Sequence, residues 1–577
     1  MSASLDVVVV GAGFGGLYQL HSLRALGFRV HLFESGTDIG GVWHWNRYPG
    51  ARVDSPVPVY EYSMEDLWKG WNWSEKFPGW EELQAYFQYV EEKLQLKKDV
   101  TFNARVVSAN WKEDEQRWVV KTANGLTVNP RFLVLALGFS AKLYIPPFPH
   151  LDSYQGICHH TAAWPQSGLK TADFVGKKVA VIGTGASGVQ VIQEVGPILG
   201  EKGHLTVFQR TPNYCVPMRQ TRFTKEMQDK MKELYPTIYK RRLQTHDPHI
   251  ALLLFTGGYA YSVYPRVWKS ATPEERLLYL ENLWSKGALE IIPSNYNDLL
   301  RNQEANDGVY AFWRDKVRSR LRDPHMQEKL APLVPPHPFG AQVIALEQRY
   351  YDVSNQENVE LVDLKEFSIE RFTTSGIRTI DGVERGITQI DIRGTSHSIK
   401  DKWERGVYIN LGMSASGFPN LFFMYGPQAP TGFCNGPTCA VSWSLLVFAI
   451  IPCLTLKLSP IILVPLMMKE AQGDWITRCL QHMRTHNFTR IETTQQAELE
   501  WEKAVLDAYE RVPLMRKARN WWNGGNIPGK VVEPLSYVGG VARYLANCKR
   551  KEHNGYEGFS FSGSRRWNES SRVSSKM

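Results

Sequence analysis

Val7-Val8-Val9-Val10-Gly11-Ala12-Gly13-Phe14-Gly15-Gly16 stands near the start of the chain and decides its fold class. The four valines predict a strand that is buried on both faces, as in a parallel sheet. Gly11, Gly13 and Gly16 allow a tight turn, the close approach of a pyrophosphate and the packing of a helix against the strand. The stretch therefore predicts a βαβ unit that binds a dinucleotide.

The strand after this helix sharpens the prediction. Val30-His31-Leu32-Phe33 ends in Glu34, and an acid at this position accepts hydrogen bonds from ribose hydroxyls and disfavours a 2′-phosphate. A glycine-rich turn alone is a weak signal, since such turns occur in many α/β proteins. Here strand, turn, helix, second strand and acid follow in the required order. The first site is therefore predicted to bind FAD or NAD.

A second motif of the same kind lies further along the chain. Val179-Ala180-Val181-Ile182 predicts another buried strand, and Gly183-Thr184-Gly185-Ala186-Ser187-Gly188 follows it, with a helix expected from Val189. The next strand, Leu205-Thr206-Val207-Phe208, leads into Gln209-Arg210-Thr211. The guanidinium of Arg210 can hold a 2′-phosphate through two hydrogen bonds, which favours NADPH. The alternative is that Arg210 is a solvated strand end.

Two dinucleotide motifs in one chain set the fold class and a first function. We predict an α/β protein with two Rossmann-like dinucleotide-binding domains, one for FAD and one for NADPH, and a helical insertion in the NADPH domain. One motif ends in an acid and the other in an arginine, so the pair implies hydride transfer from NADPH to FAD.

Composition limits the other partners. The 577 residues carry a net charge of +9 without a dense run of Lys and Arg, so no nucleic acid partner is expected. The seven cysteines form no C-x-x-C pair, which argues against a disulfide framework or a metal site and for a reducing compartment. The first apolar run enters a glycine turn directly, so it is a strand and not a signal peptide. We expect a cytoplasmic monomer without a metal.

The stretch between the two motifs identifies a family. Tyr154-Gln155-Gly156-Ile157-Cys158-His159-His160-Thr161-Ala162-Ala163-Trp164-Pro165 closely resembles the F-x-G-x-x-x-H-x-x-x-W-P fingerprint of Baeyer–Villiger monooxygenases, with Tyr154 in place of the usual Phe. Residues 40–54, which we call the flavin segment, resemble the part of that family that contacts the flavin. Further stretches match in the same order, namely 208–212, 417–423 and 521–530.

The resemblance implies a reaction and a set of contacts. In the family NADPH reduces FAD, the reduced flavin activates O₂, and one oxygen atom enters a ketone to give an ester or lactone. The implied residues extend the two glycine motifs. The resulting FAD set is Gly11, Gly13, Gly16, Glu34, Val42, Trp43, His44, Trp45, Asp54 and Tyr60, with Asp54 also catalytic. The NADPH set is Arg52, Val53, Gly183, Thr184, Gly185, Ala186, Ser187, Gly188, Arg210, Thr211, Gln342 and Trp521.

The fingerprint itself consists of Tyr154, Gly156, His160, Trp164 and Pro165. By resemblance His160 has a structural or allosteric role at the hinge between domains. The alternative is a buried histidine whose hydrogen bonds are satisfied within a linker.

Both positions of the family's catalytic pair are replaced. The family carries Lys-Arg after a Pro-aromatic-Gly turn, and the flanking sequence places this pair on Gln342 and Val343. Loss of the arginine removes a stabiliser of negative charge on oxygen, a cost of about 3–4 kcal/mol if it resembles loss of an oxyanion donor. The alternatives are hydroxylation, oxidation or isomerisation without ester formation, or a non-catalytic, membrane-associated relative. The substrate itself is not specified; a bulky, apolar ketone of secondary metabolism is the expectation.

Two further differences from the family's sequence pattern lie in the second half of the chain. An apolar strand that the family carries is missing near residues 383–388, and an apolar insert extends over residues 441–472. Within the insert, residues 445–468 have the length of a membrane span, but three prolines and a central lysine fit one poorly. We interpret both features as wrongly assigned exon boundaries; a genuine membrane-anchoring loop is the alternative. A cDNA that encodes both features would contradict this interpretation.

The motifs also predict the domain organisation. The FAD domain is expected in two parts, residues 1–145 and 395–577, and the NADPH domain in two parts, residues 146–215 and 340–394. Residues 216–339, which are charged and helix-periodic, form the helical insertion. The tail at residues 562–577 is expected to be disordered.

Overall fold

The computed structural model describes much of the chain, with several gaps. The described residues are 5–58, 60–138, 149–150, 158–164, 170–241, 264–292, 294–372, 377–379, 391–393, 409–411, 413–424, 428, 467–517, 523 and 532–563. The strands in these ranges are β1 (Val7–Val10), β2 (Val30–Phe33), β3 (Val100–Thr101), β4 (Val106–Lys112), β5 (Arg117–Thr122), β6 (Thr127–Val128), β7 (Phe132–Leu135), β8 (Lys178–Ile182), β9 (His204–Gln209), β10 (Cys215–Pro217), β11 (Ala345–Glu347), β12 (Val359–Asp363), β13 (Ile369–Phe372), β14 (Ile377–Thr379), β15 (Asp391–Arg393), β16 (Leu421–Phe423), β17 (Arg490–Thr493) and β18 (Phe559–Ser562).

Helices connect and cover these strands. They are α1 (Phe14–Ala25), α2 (Val42–Trp45), α3 (Glu65–Trp68), α4 (Trp80–Leu94), α5 (Ala186–Val195), α6 (Lys225–Arg241), α7 (Pro273–Lys286), α8 (Gln303–Arg318), α9 (Pro324–Leu330), α10 (Tyr350–Val353), α11 (Met467–Thr485), α12 (Gln495–Glu510) and α13 (Val541–His553). Within the described ranges, no helix is both long enough and apolar enough to cross a membrane.

The first sheet contains the N-terminal motif at its centre. Its strand order is β16-β7-β1-β2-β3, and all the neighbouring pairs are parallel. The four valines of β1 are at most 5% exposed, because strands lie on both sides and helices cover the sheet. Strand β16 comes from the second half of the chain, so the sheet is assembled from distant segments.

The second sheet repeats part of this arrangement around the second motif. Its order among the described strands is β12-β9-β8, again parallel, so β8 takes the place that β1 has in the first sheet. No described strand takes the place of β7. The prediction that residues 179–182 form a fully buried strand is wrong: Ile182 is 40% exposed and no residue of β8 is fully buried. The missing strand predicted near 383–388 falls outside the described residues.

The helix of the second motif begins earlier than expected. Helix α5 starts at Ala186, whereas the apolar periodicity predicted a start at Val189. The small residues of the motif form the first helical turn. A Cβ on Gly188 would lie 2.1 Å from the carbonyl oxygen of Gly183, so only glycine fits where the turn packs against the strand end.

The C-terminal half corrects two predicted boundaries. The insert predicted over residues 441–472 extends too far, because α11 begins at Met467 and buries Glu470 and Gln472 in the protein; residues 441–466 lie outside the described part. The tail predicted over 562–577 starts too early, because Ser562 belongs to β18, which pairs with β17. Residues 564–577 are not described.

Candidate active site

The first glycine motif has the geometry of a phosphate cradle. Gly11 has a φ of 104°, and a Cβ on Gly16 would lie 1.8 Å from the carbonyl oxygen of Gly11. Helix α1 is capped by Gly13, which has no side chain to occupy the amides of the first turn. These amides and the positive end of the helix dipole are suited to a pyrophosphate.

Glu34 lies directly beside this cradle. It is 6% exposed; its Oε2 accepts a hydrogen bond from the Ala12 amide at 2.6 Å and its Oε1 accepts one from the Gly36 amide at 2.7 Å. Ser35 Oγ donates a third hydrogen bond, to Oε1 at 3.1 Å. Since a carboxylate offers about four lone-pair sites, one site on Oε2 remains for a ribose hydroxyl. The residues present fit FAD at this site.

The flavin segment supplies a partly buried aromatic wall. Trp43 lies in α2 and packs edge-on against Tyr60, with ring centroids 5.7 Å apart. Its Nε1 is buried and makes no hydrogen bond within the described structure. A buried donor without an acceptor is costly, so this N–H fits an acceptor on a bound flat ligand.

The other predicted residues of α2 differ in burial. His44 is buried, and desolvation together with the nearby Arg47 lowers its pKa. Val42 and Trp45 are 39% and 37% exposed. The helix therefore places Trp43 and His44 inward and Val42 and Trp45 outward.

Arg52 and Val53 lie near the C-terminal end of the flavin segment. Val53 is buried, and the Arg52 guanidinium donates to Glu75 and to the carbonyl of Phe77, both at 3.1 Å. The Nε of Arg52 is buried and has no hydrogen-bond partner among the described atoms. The guanidinium is thus fixed in place, and its buried Nε donor is unused.

The second glycine motif has the same geometry as the first. Gly183 has a φ of 99°, and α5 is capped by Gly185, whose Cβ position has no atom within 4 Å. This open space at a helix N-terminus is suited to a second pyrophosphate. The hydroxyl of Thr184 lies 3.2 Å from the carbonyl oxygen of Thr211, which joins the motif to the end of β9.

Arg210 and Glu34 lie at the ends of equivalent strands in the two sheets, with Arg210 one position further along, because Phe33 and Phe208 occupy the same place in the register. Each follows the strand that pairs with the motif strand, β9 in one case and β2 in the other. Arg210 is exposed at the edge of the second motif, whereas Glu34 is buried under the first. The residues present fit a 2′-phosphate at the second site and a free ribose at the first.

The structure brings the two sites together through a tyrosine that the sequence did not single out. Tyr48 of the flavin segment lies 3.1 Å from Ser187 Oγ of the second motif and 2.8 Å from Gln190 Oε1 of α5. Neither Tyr48 nor Gln190 was predicted as a site residue. The only signal in the sequence was the position of Tyr48 inside a segment already assigned to the flavin.

Known proteins resemble this chain over nearly its whole length. A family model described as pyridine nucleotide-disulphide oxidoreductase matches residues 5–235. Cyclopentanone 1,2-monooxygenase of Comamonas sp. (strain NCIMB 9872) is 40% identical over 572 residues, with 96% of each chain covered. FAD-binding monooxygenase VdtE of Byssochlamys spectabilis is 37% identical, with 96% of this chain and 94% of the relative covered. A crystal structure of OTEMO in complex with FAD and NADP has a TM-score of 0.85 and 32% identity, and covers 97% of this chain and 100% of its own.

The chain belongs to the Baeyer–Villiger monooxygenases. The family resemblance and the fold class predicted from the motifs are both confirmed. The protein is an oxidoreductase of the FAD- and NADPH-dependent monooxygenase type.

In this Baeyer–Villiger monooxygenase the described part of the fingerprint has a structural contact. His160 precedes a short 3₁₀ helix (Thr161–Ala163), and its Nδ1 accepts a hydrogen bond from the Ala162 amide at 3.1 Å. Trp164 is half-buried and its Nε1 has no partner among the described atoms. Tyr154, Gly156 and Pro165, as well as Trp521 of the predicted NADPH set, lie outside the described residues.

The replaced pair of this monooxygenase follows a turn at residues 338–341. Gln342 and Val343 are half-buried just before β11, and Val343 packs against the apolar core. Arg349, the next cation along the chain, donates to the carbonyl of Gln193 at 2.7 Å and to Glu194 at 3.0 Å. Arg349 is therefore held on α5 and does not replace the arginine of the family.

Proposed function

We propose that this monooxygenase converts a ketone into an ester or lactone, consuming NADPH and O₂ and using FAD. The observation that carries the proposal is the pair of equivalent strand ends, with Glu34 buried beside one glycine motif and Arg210 exposed beside the other. One site thus favours a dinucleotide without a 2′-phosphate and the other favours one that carries it. The names of the relatives support ketones as the substrate class.

The roles of individual residues are part of this proposal. FAD is held by the motif at Gly11, Gly13 and Gly16, by Glu34, by α2 and by Tyr60, with Asp54 beside it. NADPH is held by residues 183–188, Arg210, Thr211, Arg52, Val53 and Gln342, and by Trp521. When bound, FAD accepts a hydride from NADPH and activates O₂. The protein's own residues bind and orient the two dinucleotides and exclude water from between them.

Val343 stands where the family has its catalytic arginine, and this replacement affects the proposed reaction. Since no guanidinium stands at this position, negative charge that develops on oxygen is stabilised by other donors. The half-buried side chain of Val343 packs against the core and offers no donor. We therefore expect ester formation to be slow relative to flavin reduction. Part of the NADPH is then consumed in reducing O₂ to H₂O₂ without forming an ester.

The proposal also covers the domain division, the cellular compartment, the oligomeric state and the substrate. We propose the domain division given above, with the FAD domain formed by residues 1–145 and 395–577, the NADPH domain by 146–215 and 340–394, and the insertion by 216–339. Free thiols at Cys158, Cys215, Cys479 and Cys548 support a reducing compartment, and we propose a cytoplasmic monomer. A bulky, apolar ketone of secondary metabolism is the proposed substrate.

The proposal is tested with purified protein, FAD, NADPH and a panel of cyclic and polycyclic ketones. Products are identified by mass spectrometry, while NADPH consumption and H₂O₂ are followed in parallel. An ester or lactone that requires both NADPH and O₂ supports the proposal. Hydroxylated products, or NADPH consumption with H₂O₂ as the sole product for every ketone, would contradict it.

A further inference from the structure

A short series of hydrogen bonds connects the two dinucleotide sites. Tyr48 is 5% exposed and its hydroxyl contacts Ser187 Oγ and Gln190 Oε1. Gln190, which is 6% exposed, uses its Nε2 to donate to the carbonyl of Arg52 at 3.1 Å. The series thus begins in the second glycine motif and ends in the flavin segment.

The chemistry of these groups fixes the direction of the bonds. Because Gln190 Nε2 donates to a carbonyl, its Oε1 faces Tyr48 and can only accept. Tyr48 therefore gives its single proton to Gln190, and the hydroxyl of Ser187 donates to the Tyr48 oxygen. Each group has its donor and acceptor role set by the next one, which holds all of them in one arrangement.

The packing around this series leaves little freedom. Gly50 has a φ of 80°, and a Cβ there would lie 2.5 Å from Glu194 Cγ and 2.7 Å from the carbonyl oxygen of Gln190. Only glycine fits this approach of the flavin segment to α5. Burial, with a contribution from the nearby Asp54, raises the pKa of Tyr48 to about 12, so the hydroxyl stays protonated and able to donate.

We propose that Tyr48 is a positioning residue for hydride transfer, acting by tying the second glycine motif to the flavin segment. The step that it positions moves one hydride, so that NADPH is oxidised to NADP⁺ and FAD takes up both electrons. Rates of such steps fall steeply when the reacting groups are displaced by as little as about 1 Å. The inference rests on the proposed function in one respect, the assignment of FAD and NADPH to the two sites.

The test compares Tyr48→Phe with Ser187→Ala and with the double variant, each as FAD-loaded holoenzyme. Flavin reduction by NADPH is measured in a stopped-flow instrument without oxygen and without ketone, so that failure of ester formation does not affect the result. NADP⁺ dissociation constants, FAD content and unfolding temperatures are measured on the same samples. The matched control is Tyr544→Phe, which removes another buried hydroxyl with two hydrogen bonds, to the Leu411 carbonyl and from Gln472.

We expect Tyr48→Phe and Ser187→Ala each to lower the limiting rate constant of flavin reduction by on the order of tenfold or more. FAD content stays close to the parent value in both variants, and the NADP⁺ dissociation constant stays close to it in Tyr48→Phe, because Tyr48 does not belong to the NADPH set. The double variant is no slower than the slower single variant, because both changes break the same series of bonds. If Tyr48→Phe does not fold, Ser187→Ala decides by the limiting rate constant of flavin reduction, which is measured at saturating NADPH and so does not depend on how tightly the nucleotide binds.

Three results would overturn the proposal. The first is an unchanged limiting rate constant in both single variants. The second is an equal loss in Tyr544→Phe, which would mean a general effect on the fold. The third is a double variant whose loss is the product of the two single losses, since independent effects multiply.

Discussion

Glu470 of α11 accepts hydrogen bonds from both the amide and the hydroxyl of Ser63, at 3.0 and 2.9 Å, across 407 residues of sequence. The contact places the first turns of α11 against the segment that follows the flavin segment. Gln472, two residues on, donates to the hydroxyl of Tyr544 at 2.8 Å. Both residues fall inside the stretch that the sequence assigned to an apolar insert, so the first turns of α11 belong to the folded protein.

This contact predicts where a deletion becomes harmful. Removal of residues 441–466 is expected to leave the unfolding temperature and FAD content close to those of the parent. Removal of 441–472 also deletes the Glu470 and Gln472 bonds and is expected to lower stability. Hydrogen bonds to a charged group such as the Glu470 carboxylate contribute roughly 1.5–3 kcal/mol each, and a neutral one such as that of Gln472 about 1 kcal/mol. Thermal unfolding of the two deletion variants, with Glu470→Ala for comparison, measures the difference. Equal stability of the two deletions would show that α11 starts later.

Arg210 is predicted to decide the choice between NADPH and NADH. Arg210→Ala removes charge-assisted hydrogen bonds to the 2′-phosphate, a loss of about 1.5–3 kcal/mol, so KM for NADPH rises on the order of tenfold to a hundredfold. KM for NADH stays unchanged. Steady-state oxidation of both nucleotides measures this preference. The control is Arg105→Ala, which removes another exposed arginine, just before β4. A preference for NADPH that survives Arg210→Ala would place the 2′-phosphate elsewhere.

Val343→Arg is predicted to improve ester formation. An arginine there supplies the charge stabilisation that Val343 lacks, an effect on the order of 10² in turnover if it resembles an oxyanion donor. The measurement is the ratio of ester to H₂O₂ per NADPH consumed. Val343→Gln, which adds length without charge, serves as the control and is expected to change the ratio little. Unchanged ketone turnover in Val343→Arg would refute the role assigned to this position.

Glu61 is predicted to make stability depend on pH. Its carboxyl is buried, Trp73 Nε1 donates to it at 3.1 Å, and burial raises its pKa to about 8 from an ordinary value of 4.5. The folded form therefore holds a proton that the unfolded form has lost between these two values. Stability is fully present below pH 4.5 and falls by on the order of 1 kcal/mol per pH unit until about pH 8.

The variant Glu61→Gln removes this dependence. It is expected to unfold at a higher temperature than the parent above pH 8, and at a similar temperature at low pH. Glu347→Gln is the contrasting control, because Glu347 is buried but paired with Arg320 at 2.6 Å. Its loss removes one of the two carboxylates that contact Arg320, the other being Asp352 at 2.9 Å, and lowers stability without the pH dependence that Glu61 confers. Parallel pH profiles for the parent and Glu61→Gln would rule out the buried proton.

The pairing of β8, which among the described strands is with β9 alone, predicts unequal protection of the two motif strands. Amides of β1 are expected to exchange hydrogen slowly, because described strands pair with it on both sides. Amides of β8 are expected to exchange faster, because its only described neighbour is β9. Hydrogen exchange followed by mass spectrometry of the peptides that contain Val7–Val10 and Lys178–Ile182 compares them directly. Equal protection would show that another part of the chain covers β8.

The sequence predicted both nucleotide cradles because their geometry is local. Gly11 and Gly183 set a turn, Glu34 and Arg210 follow the neighbouring strand, and each needs only a few residues of context. The exposure of β8 could not be predicted in this way, since it depends on which strand lies beside it. The start of α11 could not be predicted because an apolar stretch precedes it. Its buried polar residues also form hydrogen bonds with residues that are distant in the sequence. The Tyr48–Ser187 contact joins residues 139 positions apart, so it required the relative placement of the two motifs.

We propose that this enzyme inserts one oxygen atom from O₂ into a ketone at the expense of NADPH. The most direct measurement is turnover under ¹⁸O₂ with NADPH and a ketone that is accepted in the panel, followed by mass spectrometry of the product. We expect an ester or lactone that carries a single ¹⁸O atom, together with one NADPH oxidised per product formed after subtraction of H₂O₂. A product without the label, or label found in H₂O₂ alone, would contradict it.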